Sequence, residues 1–155
     1  MSLSSQALLL AFYLAWLSLY DAHYFRLPDI GTLPLIAAGI MLNCHTGSAP
    51  GLTTATVGAA IGFLSLWAIA SLYRHWRGRH GLGLGDAKLL AAAGAWLGPW
   101  FLAPTVFIGA ILALCYVLLL RLTGRQISNE TRVPFGPFLS ASFLLLWCLH
   151  AASLV

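Results

Sequence analysis

Gly81-Leu82-Gly83-Leu84-Gly85-Asp86-Ala87-Lys88-Leu89-Leu90 sets a carboxylate and an ammonium, preceded by alternating glycines, at the mouth of an apolar run. The run that follows is apolar enough to enter a bilayer, where an ionisable side chain is expensive to keep and marks a functional site by default. An acid held at the start of such a helix needs a partner from elsewhere in the chain.

The chain has 155 residues, 60% of them hydrophobic and only 8% charged. Soluble domains are closer to half apolar and a quarter charged, so this composition predicts a multi-pass, all-α membrane protein with one domain over 1–155. The net charge of +4 would suit nucleic acid if the basic residues formed one soluble face. They sit instead in short segments between apolar runs, so topology accounts for them and no nucleic-acid partner is expected.

Apolar runs cover 3–20, 30–43, 52–73, 87–102, 104–120 and 138–155. Several fall short of the roughly 20 residues of an untilted crossing, but flanking residues such as Leu27 and Leu84 extend them, and six transmembrane helices is the expected count. The eight Lys and Arg and four Asp and Glu all fall within 21–29, 74–88 and 121–132. The alternate connections, near 44–51 and 98–104, carry none. By the positive-inside rule the three charged loops face the cytoplasm and both termini lie outside. Asp21, ending the first run, and Asp86, opening the fourth, then share one membrane face. The opening Met1–Gln6 has no Lys or Arg and no small-residue cleavage site follows, so the first helix is expected to be retained.

Two carboxylates sharing one proton hydrolyse a peptide without metal or nucleophilic side chain. The ionised one takes a proton from water while the neutral one donates to the scissile carbonyl. Asp21 and Asp86 are the candidates. Gly81, Gly83 and Gly85 would let backbone approach a substrate strand, or form an ordinary loop. His75 and His80 lack a ligand-like pattern, and Cys44, Cys115 and Cys148 are scattered, so neither a metal, another cofactor nor a disulfide framework is expected. Gly58 with Gly62 and Gly94 with Gly98 have the G-x-x-x-G spacing of associating helices. Arg74, Arg77 and Arg79 read as topology determinants, and Trp16, Tyr20, Tyr73, Trp76, Trp96 and Trp100 as an interfacial belt.

Three segments carry a family resemblance. Asp21-Ala-His-Tyr-Phe-Arg-Leu-Pro-Asp29 resembles the D-x-x-x-x-x-I/L-P-N/D segment of type IV prepilin leader peptidases, and Gly83-Leu-Gly-Asp-Ala-Lys88 resembles their G-x-G-D-x-K segment. Pro134-Phe-Gly-Pro-Phe138 is similar to the P-F-G-P-F/Y run that opens their last helix. The resemblance implies an aspartic endopeptidase of the bacterial inner membrane, with Asp21 and Asp86 catalytic at the cytoplasmic side. Its substrates would be type IV prepilins, or the pseudopilins of type II secretion, cut after a Gly at the end of a basic leader.

Supporting or substrate-contacting roles fall by the same resemblance on Pro28, Asp29, Gly83, Gly85, Lys88, Pro134, Gly136 and Pro137. Asp29 stands where the family has Asn or Asp, which implies that its charge is dispensable to the acid–base step. Lys88 has two readings, an orienter of an acidic substrate group or dyad, and a positive-inside lysine. Pro134, Gly136 and Pro137 read as a wall of the site or as an ordinary Pro-started helix. Longer members carry a further N-terminal segment with C-x-x-C pairs linked to N-methylation; this chain starts just before the first motif, so the resemblance extends to cleavage and not to methylation. Two other classes compete. A proton-coupled transporter predicts a charge in mid-span, which the sequence lacks, and a catalytically silent pilus or secretion assembly protein predicts no cleavage.

Overall fold

The computed structural model describes residues 3–46, 51–77, 83–123 and 133–153. Among them lie six α-helices and no strand: α1 (Leu3–Tyr24), α2 (Asp29–Thr46), α3 (Leu52–Arg77), α4 (Leu84–Leu97), α5 (Leu102–Leu122) and α6 (Gly136–Ser153). Gly81, Arg79, His80, Arg125, Glu130 and Arg132 lie outside the described residues. Leu52–Trp76 and Pro99–Leu122 are long and apolar enough to cross a membrane, and Asp29–Cys44 and Gly136–Ala152 are shorter apolar helices.

The fourth run departs from its expected bounds. Helix α4 stops at Leu97 because Gly98 takes φ 83°, a left-handed conformation open to glycine, and returns its N–H to the Gly94 carbonyl at 2.9 Å. Pro99–Phe101 forms one 3₁₀ turn before α5 begins. At 14 residues α4 is about 21 Å long, short of the ~30 Å hydrocarbon core. Helix α1 runs the other way, a turn beyond its apolar run, so Asp21 lies within its last turn.

Helix α4 is the hub, packed against α2, α3, α5 and α6. Its Ala and Gly residues are apolar all round and small, and ten of its residues from Asp86 to Leu97 are buried. The G-x-x-x-G spacing is used across α3 and α4. A Cβ on Gly58 would stand 2.3 Å from the Gly94 carbonyl oxygen, and one on Gly94 2.2 Å from that of Gly58. Gly62 meets the Leu90 carbonyl at 2.6 Å in the same way. Gly98, which caps α4, also lies at this crossing, its carbonyl carbon 3.1 Å from a Cβ on Gly58.

Helix α1 leans on α6, contributing Leu10, Leu14 and Leu17 to a core shared with Leu139, Phe143 and Trp147. Polar side chains tie helices through backbone acceptors. Trp96 Nε1 donates to the Leu35 carbonyl and Asn43 Nδ2 to that of Ala95, each at 2.9 Å, and Ser142 Oγ donates to that of Thr105 at 2.8 Å. Outward faces are apolar, as at Phe12, Ile30, Phe107 and Leu114. Such a surface suits lipid rather than water.

The α3–α4 crossing gives a direct test. Gly94→Ala forces two backbones apart, and overpacking of that kind costs about 1–3 kcal/mol. Thermal unfolding of the detergent-solubilised protein should show the loss for Gly94→Ala and none for Gly51→Ala, since no atom lies within 4 Å of a Cβ at Gly51.

Candidate active site

Asp21 occupies the last turn of α1, 6% exposed. The helix ends where the Phe25 N–H donates to the Asp21 carbonyl at 2.8 Å and Phe25 takes φ 52°, a conformation uncommon for a bulky residue. That turn directs Leu27 back into the core and leads to Pro28. The Pro28 carbonyl accepts the N–H groups of Gly31 and Thr32 at 3.0 and 3.1 Å, and so starts α2 with Asp29 as its first residue.

Gly83, extended at φ −76° and ψ 139°, caps α4, and its carbonyl accepts the Asp86 N–H at 3.2 Å. Gly85 lies against the corner between α1 and α2, where a Cβ would sit 2.7 Å from Leu27 Cβ. The second motif is thus seated on the first. Asp86, 9% exposed, faces inward at the start of α4, and Lys88 Nζ pairs with Asp29 Oδ1.

The third motif closes the group from α6. The Phe135 carbonyl accepts the N–H groups of Phe138 and Leu139, each at 3.1 Å, and so opens the helix. Pro137 falls in the first turn, where a helix needs no N–H from it. The Gly136 N–H donates to Asp21 Oδ2 at 3.0 Å. A Cβ there would stand 2.6 Å from the same oxygen, so the carboxylate and the α6 backbone leave no room for a side chain.

Both carboxyls lie just beyond the apolar runs 3–20 and 87–102. Burial first, and then the charge of Asp21, push Asp86 up to about 7, with the Gly83 N–H acting against them. Burial also raises Asp21, opposed by the Gly136 N–H. Two carboxyls that discourage each other's ionisation titrate as a pair. Such a pair can offer one group that accepts a proton and one that donates it.

The structure therefore brings together Asp21, Asp86, Gly83, Gly85 and Gly136, with Pro28 and Pro137 shaping the helix starts beside them. Asp29 and Lys88 are joined to each other rather than to the carboxyl pair. Pro134 is half-buried just before α6. Among the described residues no three His, Cys, Asp or Glu side chains gather where they could hold a metal ion. Phe25 escaped the sequence reading; a bulky residue carries no signal for positive φ, although its place between a helix and a Leu-Pro pair marks a turn.

Residues 8–118 match the model of the type IV leader peptidase family. The chain is 41% identical over 144 residues to a protein of Pseudomonas aeruginosa called prepilin leader peptidase/N-methyltransferase, covering 90% of this chain and 48% of that protein. It is 45% identical over 115 residues to the protein of the same name from Burkholderia pseudomallei, covering 74% and 37%, and 38% identical over 135 residues to that of Neisseria gonorrhoeae, covering 87% and 45%. The chain thus spans about half the length of the curated relatives it matches or less. No solved structure matches it. On a family match that runs from α1 through most of α5, the chain belongs to the type IV leader peptidase family.

Proposed function

We propose that this chain is an aspartic endopeptidase that removes the basic leader of type IV prepilins or pseudopilins at the cytoplasmic face of the bacterial inner membrane. The observation that carries the reading is the pairing of Asp21 and Asp86, buried and electrostatically coupled, with the Gly136 N–H on Asp21. The names of the relatives supply the substrate class. Six crossings with both termini outside would put this pair at the cytoplasmic surface, in a single domain over 1–155. The charge asymmetry of the loops supports that topology.

In the proposed reaction the Gly136 N–H favours the ionised form of Asp21, and Asp86 holds the shared proton. Asp21 takes a proton from water as the water oxygen bonds to the scissile carbonyl carbon. Asp86 gives its proton to the carbonyl oxygen, forming a neutral tetrahedral species. The C–N bond then breaks as Asp21 passes its proton to the leaving amine, and the hydroxyl proton returns to Asp86. The cycle restores both groups. A precursor whose apolar helix lies in the bilayer presents its leader junction at the depth of Asp21 and Asp86, so the site needs water from one side only.

Membranes containing the chain should convert a prepilin to a shorter product whose N-terminal mass fixes cleavage after the leader Gly. A well-inserted chain that leaves several such precursors intact would overturn the proposal in favour of a silent assembly protein.

The pH dependence has a defined sign. The competent pair carries one proton, and the raised value of Asp86 is about 7. Above it that proton is lost, so kcat/KM should fall about tenfold per pH unit. Below it, activity holds until Asp21 is protonated. A pH profile in proteoliposomes checks this; a rate that rises through pH 8 would contradict it.

A further inference from the structure

Lys88 and Asp29 form an ion pair that joins the second motif to the first. Lys88 lies two residues after Asp86 on α4, and Asp29 is the first residue of α2, eight residues after Asp21. Beside the pair, Gly85 lies so close to Leu27 that a Cβ on it would stand 2.7 Å from Leu27 Cβ. Helix α4 therefore meets the corner between α1 and α2 at two adjacent points, with Asp86 between them. The Lys88 side chain is 24% exposed and that of Asp29 62%.

We infer that Lys88 and Asp29 are positioning residues, a strut that holds the first turn of α4 against the α1–α2 corner and so sets the spacing of Asp21 and Asp86. This deepens the peptidase reading and rests on it. It stands beside the two expectations from sequence: Lys88 is engaged by Asp29, and the charge acting on the Asp86 carboxyl is that of Asp21. What position 29 must supply is an acceptor oxygen, which Asn also has.

Partly exposed ion pairs add little to stability. Losing this one should leave unfolding near wild type, while small misplacement of reacting groups lowers turnover steeply. Lys88→Met and Asp29→Ala should each lower kcat about tenfold at nearly unchanged KM. Asp29→Asn should stay close to wild type, the double variant should be no worse than either single one, and the exchange Asp29→Lys with Lys88→Asp should recover activity.

A second readout does not depend on cleavage. In full-length chain in membranes, with Cys44, Cys115 and Cys148 changed to Ser, Asp21→Cys and Asp86→Cys are joined by a short bis-methanethiosulfonate reagent. The rate of joining should fall about tenfold when Lys88→Met or Asp29→Ala is added, and recover in the charge exchange. A rate indifferent to Lys88 and Asp29 would overturn the strut. If joining keeps its dependence on the pair while the unaltered chain cuts no precursor, the strut stands and the peptidase reading fails.

Discussion

Asp21→Asn and Asp86→Asn should each reduce cleavage of a prepilin by about 10³-fold or more, with the chain inserted normally. Asn has nearly the size of Asp, so the packing around the pair is kept, but it cannot exchange a proton. At position 21 the Asn Oδ1 still accepts the Gly136 N–H, which leaves the α1–α6 contact in place and removes the base. At position 86 it removes the acid. Because the two act as one unit, the double variant should be no slower than the slower single one. The Asp86 variant has a further signature. The carboxyl value raised from 3.8 to about 7 means that the folded state binds more protons than the unfolded state between those values. Stability contributed by the protonated group is therefore full below the unfolded value and declines as pH rises towards 7. Asp86→Asn escapes that decline and should unfold no more readily than wild type at pH 8. Product formation at the unaltered rate by either variant, followed by gel shift and N-terminal mass, would end the two-aspartate mechanism.

Gly136→Ala is the second large effect, about 10²-fold on kcat/KM, and it reaches the chemistry through one methyl group. The added carbon would sit 2.6 Å from Asp21 Oδ2 and 2.9 Å from Cγ. Since the obstructing atoms are a side-chain terminus rather than backbone, the conflict is relieved by swinging the carboxylate off the Gly136 N–H. The helices stay packed while Asp21 loses its donor and its aim. The expected split is a turnover defect with thermal unfolding within about 1 kcal/mol of wild type. That sets it apart from Gly94→Ala, where carbonyl oxygens of α3 and α4 are in the way and stability falls. Wild-type turnover in Gly136→Ala would mean that Asp21 does not depend on the third motif.

Much of this was legible from residues alone. An apolar fraction of 60% with every charge confined to three segments dictates helices joined by loops of alternating polarity, because a bilayer forbids unsatisfied backbone. Asp21 and Asp86 stood out for the same reason: a carboxyl at an apolar helix end is costly and needs a use. The spacing of Gly58, Gly62 and Gly94 announced close helix contact, since small residues are what lets backbones meet. These are local properties, carried by composition, period and position.

Tertiary packing decided the rest. No local signal tells Gly136 to present its N–H to a side chain 115 positions earlier, or pairs Lys88 with Asp29 across 59 positions. Those contacts exist because the buried Ala-rich α4 draws α2, α3 and α6 around itself, while α1 settles on α6. The break at Gly98 is local by contrast: apolar residues continue through it, but the glycine's positive φ and the N–H that Pro99 lacks end α4 there. The sequence by itself determined a helical, lipid-suited chain with two candidate acids. Which acid receives the Gly136 donor, and which charge holds the first turn of α4, were decided by how six helices satisfy one another's volume.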